Sequence, residues 1–174
     1  MGVAFVLAAA AVGAPPVASG VPVGGRPGPY SFLVATGPDR GQPTCYICAQ
    51  GDKPAVVVFT RTLSPATGRL LAKLDAAALK QKDSGVKVWL THLADVADLD
   101  EIAKWAQTYT VKGAPVGVYE DPDGPPAYKL NPAADVTVLV FAGKKVTANF
   151  AFRAGELTAG KVAEVVAAME KANK

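Results

Sequence analysis

The run Ala55-Val56-Val57-Val58-Phe59-Thr60-Arg61-Thr62-Leu63-Ser64-Pro65-Ala66-Thr67 changes period abruptly in its middle. Its first five residues are continuously apolar, as in a strand covered on both faces. Ser64-Pro65 then supplies a helix N-cap followed by proline at the first helical position. Beyond it Leu70, Leu71, Leu74 and Ala78 recur at helical spacing. A buried strand that runs into an amphipathic helix is half of a βαβ unit.

Working outward from that half-unit gives the other elements. Val86, Val88 and Leu90 alternate along a second strand, and Asp95 is expected to cap a helix carrying Leu99, Ile102, Ala103 and Ala106. Pro115 to Tyr119 reads as a short strand, ended by the turn Asp121-Pro122-Asp123-Gly124. Val136 to Phe141 is again continuously apolar. It passes through Ala142-Gly143-Lys144 into an outer hairpin strand where Val146, Ala148, Phe150 and Phe152 alternate. The last helix starts at Thr158 and presents Val162, Val165, Val166 and Met169. Upstream, Tyr30 to Thr36 is a strand, residues 37–43 a loop, and Thr44 the expected cap of one helical turn stopped by Gly51. The order β, β-α-β-α-β, β-β-α predicts an α/β fold: a mixed sheet with helices on both faces.

Composition bounds the rest. Of 174 residues, half are apolar and 19% charged, enough for one domain with one core. The net charge of +3 comes from scattered lysines. No basic stripe interleaves with aromatics, so no nucleic-acid partner is expected. The first 25 residues carry no charge, and Val3–Val12 is an apolar run of signal-peptide length, too short to span a bilayer. Val12-Gly13-Ala14 and Val17-Ala18-Ser19 are small-x-small cleavage motifs. The expected organisation is a signal peptide over residues 1–19, a Gly/Pro-rich linker over 20–29 and a domain over 30–174. A periplasmic or secreted location follows, with no integral membrane segment in the mature chain.

Cys45 and Cys48 are the only thiols. In an extended strand their Cα atoms would stand about 10 Å apart, beyond bridging range, whereas one helical turn brings them together. With Thr44 as cap, Cys45 would lie at a helix N-terminus and be the better nucleophile, with Cys48 resolving. Three readings stay open: a redox pair, a structural disulfide, or half of a metal site. The last needs two more ligands, and His92 is the only imidazole. Ser64 reads as a cap, because no His or acid adjoins it in sequence. His92 reads as a strand-end residue, Asp121 and Asp123 as turn residues, Trp89 and Trp105 as packing residues. None of these residues calls for a cofactor.

Two stretches carry a family resemblance. Gly155-Glu156-Leu157-Thr158-Ala159-Gly160-Lys161-Val162 is similar to the start of the last thioredoxin helix. Pro115-Val116-Gly117-Val118-Tyr119-Glu120-Asp121-Pro122-Asp123-Gly124, followed by Ala127-Tyr128-Lys129-Leu130 and the Val136 strand, resembles the corresponding redoxin stretch. The chain thus resembles, over residues 22–172, the thioredoxin-like fold in its redoxin and peroxiredoxin layout. The resemblance implies a three-layer α/β/α sandwich around a central mixed β-sheet, and a protein thiol or disulfide partner.

It also locates a degenerate site. Ser64 and Thr67 stand where the family carries two cysteines, and Thr67 replaces the peroxide-reducing one. Val58 stands in place of the buried acid of thioredoxins, and Val136 is the nearest match to their cis-proline. A hydroxyl cannot replace a thiolate in disulfide exchange. Peroxidase and ordinary thioredoxin chemistry are therefore not expected there. The remaining expectations are exchange through a relocated Cys45/Cys48 pair, or a non-catalytic binding or scaffold module with Cys45–Cys48 as a structural disulfide.

Overall fold

The computed structural model describes residues 15–96 and 98–173; the apolar run Val3–Val12 and the first cleavage motif, with Val12 and Gly13, lie outside them. The strands are β1 (Phe32–Val34), β2 (Pro43–Thr44), β3 (Ala55–Thr60), β4 (Lys87–Leu93), β5 (Val116–Tyr119), β6 (Val136–Ala142) and β7 (Lys145–Phe152). The helices are α1 (Tyr46–Gln50), α2 (Pro65–Lys80), α3 (Leu99–Thr108) and α4 (Ala159–Ala172). All seven strands form one sheet in the order β2-β1-β5-β4-β3-β6-β7. β3, β4 and β5 run parallel, and the other pairings are antiparallel. The expected mixed sheet is present, with β2 as an addition that the loop-like composition of residues 37–43 concealed.

Period-two alternation divides the core between the two faces. Val56, Val58, Val88, Leu90, Val138 and Val140 meet Leu70, Leu71 and Leu74 of α2, Ile102 and Ala106 of α3, and Val165 and Met169 of α4. Val57, Phe59, Trp89, Leu139 and Phe141 face the other way, toward Tyr30, Phe32, Tyr46 and Tyr128. Each of these large buried side chains contributes about 1.5–3 kcal/mol relative to exposure. Successive crossovers from β3 to β4 and from β4 to β5 move in one direction along the sheet. Right-handed connections therefore put α2 and α3 on the same face, and α4 joins them. The opposite layer is thin: α1, the turn at residues 126–128 and the segment from residue 19 to 30.

Its centre is polar as well as aromatic. The Trp89 indole N–H donates to the Tyr30 hydroxyl at 2.8 Å, which lies 2.8 Å from the Thr91 hydroxyl. Burial raises the Tyr30 and Tyr128 pKa values well above the ordinary phenol value. Gly117 has no substitute in β5, since a Cβ there would sit 2.2 Å from the Leu33 carbonyl oxygen.

Three local expectations are corrected. Asp98, not Asp95, caps α3, its carboxylate accepting the Asp100 and Glu101 N–H groups. The acid immediately before the first helical residue wins because only it reaches those donors. Secondly, residues 20–29 are seated on the domain and are not a free linker. The Gly24 N–H donates to Val146 O, and the Val146 N–H to Gly25 O, each at 2.8 Å. Asn149 Nδ2 donates to the Ser19 and Val21 carbonyls. This segment pairs the open edge of β7 at that point. Thirdly, the residues of β7 at even spacing do not share a face. A bulge pairs Phe141 with Val146 but Val140 with Ala148, so Val146 turns to the aromatic layer while Phe150 and Phe152 pack beside the helices.

Candidate thiol–disulfide site

The connection from β2 to β3 holds the cysteines. Thr44 is not the helix cap: pairing with Phe32 keeps it in β2, and its hydroxyl turns back toward Gln42 O. Cys45 takes that role itself. Its backbone is extended (φ −104°, ψ 91°), and its Sγ accepts the Cys48 N–H at 3.2 Å. Gly51, at φ 60°, ends the turn as its sequence position predicts. Cys45 and Cys48 are joined as a disulfide, their Cα atoms 5.4 Å apart.

The turn is anchored from its inner side. Tyr46 and Gln50, four apart and therefore on one helix face, are both buried. The Tyr46 ring lies against Phe32 and Trp89, and its hydroxyl donates to Asp39 Oδ2 at 2.8 Å. Burial first, and the Asp39 carboxylate second, push the Tyr46 hydroxyl pKa up. Lys87 Nζ sits 3.9 Å from the centre of the Tyr46 ring. Gln50 Nε2 donates to Pro54 O and Gly85 O. With residues 46 and 50 turned inward, Cys48 points outward: it is exposed while Cys45 is half-buried. Cys48 lines a cleft of about 390 Å³ together with Arg26, Pro27, Ile47, Phe141 and Lys144. Lys144 also pairs loosely with Asp52 at 3.6 Å. Sequence reasoning missed Arg26, which lies in the stretch read as linker.

Ser64 and Thr67 lie at the other end of the sheet. β3 separates the two places by about 17 Å at roughly 3.3 Å per residue. The fold therefore does not bring the four positions together. The Ser64 hydroxyl caps α2 by accepting the Thr67 N–H at 3.2 Å, and lies 2.9 Å from Thr67 Oγ1. Thr67 is fully buried, and Thr60 Oγ1 donates to Thr62 O at 2.7 Å. Each hydroxyl has a local partner, and none contacts a base.

Arg61 closes this end. Its N–H donates to Asp135 O at 2.9 Å, its Nε to Ala134 O at 3.1 Å, and its Nη1 to Pro122 O. His92 Nδ1 donates to Thr60 O at 3.1 Å, which makes that nitrogen the protonated one. Burial holds the His92 pKa below its ordinary value, against smaller opposing effects of the Thr60 carbonyl and Asp135. Asp121 behaves as a turn residue, its carboxylate accepting the Asp123 N–H at 2.8 Å. Among the described residues, no group of three or more His, Cys, Asp or Glu side chains is placed to hold a metal. No described helix is long and apolar enough to cross a membrane.

No family model matches the chain, and no curated protein sequence is similar to it. Solved structures are. A candidate protein disulfide isomerase from Bacteroides thetaiotaomicron superposes with a TM-score of 0.69 at 14% identity, covering 90% of this chain and 94% of that one. Peroxidoxin BcpB from Mycobacterium tuberculosis gives a TM-score of 0.63 at 15% identity, over 87% and 97% of the two chains. A secreted M. tuberculosis disulfide oxidoreductase homologous to E. coli DsbE gives 0.59 at 14% identity, over 80% and 95%. With its mixed seven-stranded sheet, the chain has the thioredoxin-like fold.

Proposed function

We propose that this protein carries out thiol–disulfide exchange with protein partners through Cys45–Cys48, at the opposite end of the sheet from Ser64 and Thr67. The observation that carries the reading is the Cys45–Cys48 disulfide itself, closed within one helical turn. Its Cys48 is exposed in a cleft, and its Cys45 Sγ already accepts a backbone N–H. A thiolate on Cys45 would keep that bond, which lowers the free energy of the reduced form. The disulfide-exchange descriptions of two similar structures support the reading at the level of the fold.

The test is the reduction potential of the pair together with turnover of a protein substrate. Exchange predicts a potential above about −270 mV and measurable insulin reduction or oxidative refolding, both lost in Cys48→Ser. A potential below about −300 mV with no turnover makes the bond a staple for a non-catalytic module. As a staple it would close a four-residue loop and contribute about 2 kcal/mol.

Export belongs to the same proposal, since an oxidising compartment keeps such a pair oxidised. The uncharged, apolar first 25 residues support it. Of the two cleavage motifs, the one ending at Ala14 is compatible with the domain. Ser19 is buried, its hydroxyl 2.7 Å from Thr137 Oγ1 and accepting the Asn131 N–H at 2.9 Å. Cleavage after Ser19 would remove both contacts. The intact mass of the exported protein is expected to show an N-terminus at Pro15; one at Gly20, or an uncleaved chain, would sink this part.

A further inference from the structure

Resting on the exchange reading above, the geometry points to Cys48 as the sulfur that a partner's thiolate attacks, and to Cys45 as the sulfur that leaves. This reverses the assignment that sequence position alone gives the two cysteines. Cys48 is exposed and forms part of the cleft wall with Arg26, Pro27, Ile47, Phe141 and Lys144. Cys45 is half-buried between β2 and the anchored Tyr46, and is not part of that wall. Displacement at sulfur needs the incoming, central and departing atoms nearly in line, so access decides which sulfur is attacked. Only Cys48 is reached from the cleft.

The departing charge has a prepared acceptor. Cys45 Sγ is hydrogen-bonded to the Cys48 N–H at 3.2 Å while the pair is still oxidised. Negative charge that develops on Cys45 as the bond breaks meets a donor already in place, without reorganisation. In the opposite direction, attack on Cys45 would leave the charge on Cys48 Sγ, which accepts no hydrogen bond among the described residues. The attacking thiolate is an anion, and Arg26 and Lys144 on the cleft wall favour its approach.

The partner is a protein dithiol. Its first thiolate forms a bond to Cys48 Sγ, the Cys45–Cys48 bond breaks, and the electron pair passes to Cys45. Its second thiolate then attacks the partner's own sulfur in the mixed disulfide and releases Cys48 as a thiolate. The partner becomes a disulfide, the chain takes up two electrons, and the two thiol protons end on Cys45 and Cys48.

Glutathione is a sufficient probe of the first step. The full oxidised protein is mixed with glutathione, quenched at early times with a maleimide, digested, and mapped by fragmentation mass spectrometry. The expected species carries glutathione on Cys48 and maleimide on Cys45, in about tenfold excess over the reverse arrangement. Equal labelling, or glutathione mainly on Cys45, overturns this inference and leaves the exchange reading standing. No adduct at any glutathione concentration overturns both.

Discussion

Asp75→Ala is expected to lower the stability of this domain by about 3–5 kcal/mol, a large part of what holds any such domain folded. Asp75 lies on the inner face of α2 between Leu74 and the helix end, and only 3% of it is exposed. Its carboxylate accepts three backbone N–H groups from the loop that leads into β5. These are Lys112 at 2.7 Å, Gly113 at 3.0 Å and Ala114 at 2.7 Å. Truncation leaves all three donors without their acceptor at the wall of a cleft of about 190 Å³ that Asp75 lines with Gly113 and Ala114, and each unmade bond costs about 1–3 kcal/mol before water replaces part of it. Asp75→Asn should cost less, because the amide oxygen still accepts from two donors while its NH2 opposes the third. Urea unfolding checks this through the shift in midpoint at constant slope. A loss under about 1 kcal/mol for Asp75→Ala would mean that the loop finds other acceptors.

The second large effect is a gain. In a Cys45→Ala/Cys48→Ala background, the pair Ser64→Cys/Thr67→Cys is expected to form a disulfide and to restore exchange. Turnover of insulin should rise by at least about tenfold over the background. The local geometry already brings the two side chains together. Ser64 Oγ and Thr67 Oγ1 lie 2.9 Å apart, and the Thr67 N–H donates to the atom at position 64, as the Cys48 N–H does to Cys45. A cysteine at position 64 would also stand at the start of a sixteen-residue helix, which favours its thiolate more than the five-residue α1 favours that of Cys45. Thiol counting after oxidation is the direct check. Two free thiols that persist under an oxidant would show that buried Thr67 does not admit the larger sulfur.

The elements with strong local signals are legible in the sequence. β3 and β6 are unbroken apolar runs, and α2 and α4 open on Ser64 and Thr158, which cap them as read. The spacing of Cys45 and Cys48 likewise pointed to a helical turn. What stayed hidden depended on partners distant in sequence. Thr44 has the chemistry of a cap, yet pairing with Phe32 claims its backbone. Residues 20–29 have the composition of a linker, yet the open edge of β7 binds them. Asp75 sits on an otherwise apolar helix face, and only the loop from Lys112 to Ala114 explains it.

The sequence by itself determined the order of strands and helices, the thioredoxin-like layout, and the absence of thiols at positions 64 and 67. Those follow from period, capping residues and side-chain chemistry, which are local properties. Only the tertiary structure decided that all three long helices share one face, that a bulge turns Val146 away from Phe150, and that Cys48 faces the cleft while Cys45 is half-covered. Those follow from chain direction, strand register and the anchoring of Tyr46 and Gln50, which bring together residues far apart in sequence.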